Sequence, residues 1–206
     1  IALLKSLGVG TVFIKTIASM SSGIAMIIKA GFENRIMVYA GANGALSEGQ
    51  VRECPMEEQG IFVAQLESPY EETIAAMGYA KSRGLYTIFN PAPAQSLKKS
   101  DYAVVDLLVL NQSETQLLTG VYPEDFKTAK LAFSALKIYG LKELIVTLGS
   151  KGSVYMSENE EHSIMAYPVE AVDTTGAGDA YIGGLAFALS SGLGKKEAMD
   201  FAMRLV

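Results

Sequence analysis

No feature of this 206-residue chain constrains its fold more than the alternation that begins near residue 60. Residues 61–66, 85–89, 104–110 and 144–148 are short apolar runs, the pattern of strands buried on both faces of a parallel sheet. Helical segments separate them. Ser68-Pro69-Tyr70-Glu71 reads as a helix start, with Ser68 as N-cap, Pro69 in the first turn and Glu71 closing a capping box. Asn111 and Glu114 repeat that cap-plus-three spacing. Residues 124–139 put Phe126, Ala129, Phe133 and Leu136 on one helical face, and Gly140 stops them. Residues 153–156 and 163–167 form a hairpin, and helices at 177–190 and from about 195 follow. Asp106 interrupts its strand with an uncomfortable charge. The architecture predicted is α/β: a three-layer αβα arrangement around a mostly parallel sheet.

The first sixty residues read differently. Residues 12–17 are β-prone and predict a strand. Residues 23–29 and 35–39 predict two more, joined through Gly31-Phe32-Glu33-Asn34 into a small β hairpin at about 22–40 that stands apart as a flap or lid. A loop of small residues, 40–45, leads to a short helix from Ser47. The whole chain, 1–206, is expected to be one partial domain containing that hairpin.

Composition removes several functions. Half the residues are hydrophobic, enough for a sizeable core, and the net charge is −5. Basic residues cluster no further than Lys98-Lys99 and Lys195-Lys196, which speaks against nucleic acid as a partner. No apolar run is long enough to span a membrane. A single cysteine, Cys54, leaves no internal disulfide and fits a reducing, cytoplasmic compartment. No leader is visible, and both ends read as cut through helices.

In doubly wound sheets ligands sit beyond the carboxyl ends of the strands. The polar residues at those ends are Glu67, Asn90, Asn111 with Glu114, and Thr147 with Gly149. Further on, Asp173-Thr174-Thr175-Gly176-Ala177-Gly178-Asp179 runs straight into an apolar helix. Glycines there let a ligand approach the backbone, and free N–H groups at a helix start make an anion site. Asp179 is out of place beneath an anion unless it has a proton to take, as a general base does in phosphoryl transfer. Taken singly, each of these residues is as well explained by a helix cap, a turn or a solvated carboxylate. There is no Gly-Lys-Ser or Gly-Lys-Thr of a P-loop, and Gly176-x-Gly178-x-x ends in Tyr181, where a dinucleotide loop needs a small residue. His162 sits among Glu158, Glu160 and Glu161 and reads as a surface residue.

The stretch from Asp173 to Asp179 resembles the C-terminal signature of the ribokinase-like (phosphofructokinase B type) sugar kinases. Ala40-Gly41-Ala42-Asn43, Gln65-Leu66-Glu67-Ser68-Pro69, Asn90-Pro91-Ala92-Pro93-Ala94, Asn111-x-x-Glu114 and Thr147-Leu148-Gly149-Ser150-Lys151-Gly152 resemble other stretches of that family, in the same order. The resemblance implies an ATP-dependent kinase with D-ribose, phosphorylated at O5, as the acceptor. It implies Asp179 as catalytic base and Gly176, Ala177 and Gly178 as an anion hole. It implies Asn111, Thr147, Leu148, Gly149, Ser150, Lys151, Gly152 and Gly178 as ATP contacts and Glu67 as a sugar ligand. Glu114 is implied to place Mg²⁺ through water or phosphate, and Asp173 and Thr175 to bind an activating K⁺. The hairpin is implied to be a lid through which two copies pair.

Members of the family also carry an N-terminal glycine-rich sugar motif and a C-terminal adenine segment that this sequence does not contain. Two alternatives stay open: a kinase of another sugar or nucleoside, and a truncated chain without catalysis.

Overall fold

The computed structural model describes residues 1–30, 33–56, 59–169 and 173–206. The chain divides into two compact units, Ile1–Pro55 with Glu67–Ala76, and Met56–Leu66 with Met77–Val206.

The first unit holds α1 (Ala2–Ser6), the antiparallel pair β1 (Ile24–Ala30) and β2 (Glu33–Tyr39), a 3₁₀ turn at Gly41–Ala45, and α2 (Glu48–Arg52). Ser47 and Gln50 cap α2 reciprocally. Residues 12–17, expected as a strand, are turns and irregular backbone. β-prone side chains make a strand only against a hydrogen-bonding neighbour, and among the described residues none pairs with them. The hairpin pairs in the register Ile24↔Tyr39 and Met26↔Met37. The expected turn residues Gly31 and Phe32 lie outside the described residues.

The second unit is built on six strands, β3 (Ile61–Ala64), β4 (Tyr86–Phe89), β5 (Leu107–Asn111), β6 (Glu143–Thr147), β7 (Ser153–Met156) and β8 (Glu161–Ile164), adjacent in that order. β3 to β6 pair parallel, and β7 and β8 each pair antiparallel with the strand before them. Helix α3 (Tyr70–Ser82) begins in the first unit and ends in the second. Helices α4 (Gln112–Thr119) and α5 (Phe126–Lys137) connect β5 to β6. Helices α6 (Ala177–Ser190) and α7 (Lys195–Met203) follow the hairpin.

Period-two alternation divides the core. Ile88, Leu107, Val109, Ile145 and Tyr155 pack with Tyr181, Ile182 and Leu185 of α6 and Met199 and Ala202 of α7. The intervening Phe89, Leu108, Leu110, Leu144, Val146 and Met156 are buried toward the opposite face, where right-handed crossovers place the connecting helices. At the amino end of the strands Lys195 donates to Glu143 Oε2 at 2.5 Å, Tyr86 Oη donates to the same oxygen at 2.5 Å, and Lys195 also reaches Tyr86 Oη, so the start of α7 is tied to the starts of β4 and β6.

Several expected boundaries move for local reasons. Helix α3 begins at Tyr70, and Ser68 Oγ lies 2.8 Å from Thr73 Oγ1. The strand expected from residue 104 begins at Leu107, after a 3₁₀ turn at Lys99–Val104. Asp106 thus precedes the strand, where its carboxylate accepts from Lys81 Nζ at 2.8 Å and from the Thr87 N–H at 3.0 Å. Asp125 caps α5, its Oδ1 accepting the Thr128 N–H at 2.8 Å. The last strand, expected at 163–167, spans Glu161–Ile164. The Ser157 hydroxyl accepts the N–H groups of Asn159 and Glu160 and closes the turn early.

Candidate active site

In the second unit the parallel strands end at one rim. Gln65 and Asn90 directly follow β3 and β4, and Asn111 and Thr147 are the last residues of β5 and β6, paired in register. The start of α6 meets this rim. Tyr181 is 2% exposed, and its hydroxyl lies 2.8 Å from Ser153 Oγ at the head of β7. Burial raises the phenol pKa to about 12, so it stays a neutral tether. That explains a large residue where a dinucleotide loop needs a small one.

A cavity of about 170 Å³ opens there, lined by Asn90, Asn111, Glu114, Thr147, Gly178 and Asp179, among others. Glu114 is 7% exposed. Its Oε2 accepts the Asn111 N–H at 2.9 Å and the Asn90 Nδ2 at 3.2 Å, while Asn111 Oδ1 accepts the Glu114 N–H at 2.8 Å. Asn90 Nδ2 also donates to the Val109 carbonyl at 3.0 Å. Asn111 and Glu114 are therefore a helix cap and cavity-lining residues at once. Burial raises the Glu114 pKa against the opposing effect of those two hydrogen bonds. A carboxylate held this way beside a cavity suits a hard divalent cation that keeps most of its waters and carries phosphate oxygens. Among the described residues there is no cluster of three or more acidic, His or Cys side chains able to hold a metal alone.

Gly176 is the N-cap of α6 with φ +80°, ψ 0°, a left-handed conformation that a side chain would strain. The Ala177 N–H donates to the Thr174 carbonyl at 3.1 Å and the Ala180 N–H to the Gly176 carbonyl at 2.9 Å. The N–H groups of Gly176, Gly178 and Asp179 make no hydrogen bond among the described residues. A Cβ at Gly178 would meet nothing within 4 Å. That is open room at a helix start, as an anion needs. Asp179 is exposed, and its Oδ1 accepts from Gln65 Nε2 at 3.0 Å.

The other expected site residues lie outside this cavity lining. Of the segment 147–152 only Thr147 lines it. Leu148 is buried, Gly149, Ser150 and Lys151 form a 3₁₀ turn, and Lys151 Nζ donates to the Glu124 carbonyl at 3.0 Å. Gly152 has a structural reason to be glycine, since a Cβ there would stand 1.9 Å from the Ile164 carbonyl oxygen. Asp173 Oδ1 accepts the Thr175 N–H at 2.9 Å on the exposed approach to α6. Both offer hard oxygens of the type a monovalent cation takes, but two residues are only part of a shell. Glu67 belongs to the first unit. Sequence reasoning overlooked the Gln65–Asp179 contact and the part Asn90 plays in holding Glu114. Asn90 already stood among the polar strand-end residues, whereas Gln65 lay inside the run read as strand 61–66 and comes past the strand only because β3 ends at Ala64.

A larger cleft of about 760 Å³ lies at the amino end of β6, lined by Lys137, Glu143, Tyr155, Glu158 and Lys195, among others. Two of its ion pairs are internal, Lys137 with Glu158 at 2.8 Å and Lys195 with Glu143 at 2.5 Å, while Lys142 and Glu160 line it as well.

A parallel sheet whose strand ends meet a glycine-opened helix start, with one carboxylate beside it and a second held by a cap, is an arrangement suited to an anionic ligand. The pfkB family carbohydrate kinase model matches residues 1–205, and the chain belongs to that family. It is 34% identical over 197 residues to the ribokinase of Haemophilus influenzae, covering 94% of this chain and 64% of that protein. It is 35% identical over 184 residues to the deoxyribokinase of Salmonella typhi, covering 87% and 60%. Arabidopsis thaliana ribokinase complexed with ribose and ATP superposes with a TM-score of 0.77 at 28% identity, covering 88% of this chain and 60% of that one. The chain thus spans less than two thirds of the length of these relatives.

Proposed function

We propose that the protein is an ATP-dependent sugar kinase that phosphorylates D-ribose at O5. The observation that carries this reading is the convergence of Asp179, Gly178, Asn111, Glu114 and Thr147 on one cavity at the strand ends. Asp179 takes the proton of the sugar hydroxyl, the hydroxyl oxygen forms a bond to the γ-phosphorus, and the bond from that phosphorus to the β–γ bridging oxygen breaks to release ADP. The N–H groups at the start of α6 that have no partner among the described residues stabilise charge on the transferring group. The Asn111 cap uses Oδ1 and leaves the Nδ2 donor for a phosphate oxygen. Glu114 would hold hydrated Mg²⁺, which would neutralise phosphate charge. Thr147 through Gly152 border ATP, Glu67 holds a sugar hydroxyl, and Asp173 and Thr175 contribute to a K⁺ site. Copies pair through the β1–β2 hairpin. This chemistry belongs in the cytoplasm, where ATP is available.

Deoxyribose is the second reading, favoured by a deoxyribokinase relative as similar as the ribokinase one. The test is turnover of a sugar panel by the full protein and its Asp179→Asn variant. We expect ribose 5-phosphate from the former and a loss of about 100-fold or more from the latter. Preference for deoxyribose or a hexose would overturn the substrate, and undiminished turnover in Asp179→Asn would overturn the base.

A further inference from the structure

We propose that Gln65 is a positioning residue for the general base, an assignment that rests on reading Asp179 as that base. Asp179 lies in the first turn of α6, where a carboxylate is free to rotate toward solvent or back onto its own helix start. It does neither. Gln65 Nε2, from a residue 114 positions earlier at the end of β3, donates to Oδ1 at 3.0 Å. Among the described residues this is the one hydrogen bond of the carboxylate.

The chemistry of the donor matters. A lysine or arginine here would make an ion pair, hold the carboxylate in its charged form and weaken it as a base. A primary amide is neutral, so it fixes one oxygen without a full positive charge. With Oδ1 held, Oδ2 remains as the proton acceptor, and rotation about the Cβ–Cγ bond is restricted. General-base efficiency depends on that geometry at the reacting atom. Gln65 also makes the base depend on two elements distant in sequence, the end of β3 and the start of α6. A shift of either would misplace Oδ2.

The test uses the full protein with Gln65→Met, which keeps length and loses the donor, and Gln65→Glu, which keeps shape and puts a second carboxylate beside Asp179. Gln65→Met is expected to lower kcat by about tenfold or more, the worth of one hydrogen bond to a charged acceptor. The KM values for sugar and ATP should stay within about twofold, as should be so when ground-state binding is untouched. Gln65→Glu should lose more kcat than Gln65→Met. In the Asp179→Asn background Gln65→Met should cost nothing further, because a positioning residue has nothing left to position. Wild-type kcat in both Gln65 variants, a change confined to KM, or an undiminished further loss in the Asp179→Asn background would each overturn the proposal while leaving the base in place. Turnover surviving in Asp179→Asn alone would instead remove the base reading, and this proposal with it.

Discussion

Glu114 shows at the scale of one residue how a site is held at the expense of stability. Its carboxylate is buried, so its folded-state pKa stands above the ordinary glutamate value. The folded chain then keeps a proton that the unfolded chain has released. Its contribution to stability is fully present below the unfolded pKa and is lost as pH rises through the folded one. Asp106 runs the other way. Burial alone would raise it, but the Lys81 and Thr87 hydrogen bonds prevail and lower its pKa. Its contribution is present above the ordinary aspartate range and is lost as pH falls through the folded value. The two windows do not overlap, so they separate in a titration of stability. In metal-free protein, Glu114→Gln should flatten the fall in stability above the ordinary glutamate range and leave the acid-side loss intact, measured by urea unfolding against pH. In the full enzyme the same substitution should raise the Mg²⁺ requirement by about 10- to 100-fold. An unchanged stability profile would show that burial of this carboxylate carries no linkage.

At the scale of elements, the Tyr181–Ser153 bond joins the first turns of α6 to the head of β7. Both hydroxyls are inaccessible to water. Tyr181→Phe strands the Ser153 hydroxyl and should cost about 1–3 kcal/mol in chemical denaturation. Adding Ser153→Ala should recover much of that, because removing both partners leaves no unsatisfied group. Strictly additive losses would mean the bond contributes little. The sequence displayed α6 well: glycine-opened, apolar and 14 residues long. It displayed the Asn111–Glu114 cap equally well, since caps are local. The tether between Tyr181 and Ser153, 28 residues apart, was hidden because nothing near either residue marks a partner. Strand limits were hidden for a related reason. Residues 12–17 have the composition of a strand and no neighbour to pair with among the described residues, whereas Asp106, which read as a blemish inside a strand, is the anchor that precedes one.

The whole molecule puts its apolar residues to two different uses. In the second unit they close a core over both faces of a sheet. In the first, many stay at the surface. Ile24, Met26, Met37 and Tyr39 are exposed, Met26 at 58% and Met37 at 53%. Cross-strand pairing in the register Ile24↔Tyr39 and Met26↔Met37 sets all four on one face of the hairpin. Burying one such side chain is worth roughly 1.5–3 kcal/mol relative to leaving it in water. A two-stranded ribbon offers nothing on which to bury them and is marginal by itself. The proposed pairing of two copies supplies the missing surface, since an isologous contact sets each apolar face against its own equivalent. A charge in its centre should then be costly on both copies at once. Met26→Lys and Met37→Lys, made singly in the full protein, should shift it from dimer to monomer in sedimentation at concentrations where the parent is dimeric. Substitution at the exposed Leu131 of α5, remote in sequence from the hairpin, should leave the dimer intact. A parent protein that sediments as a monomer at every concentration, or Met26→Lys and Met37→Lys dimers as tight as the parent, would mean that this face is covered by something other than its own copy.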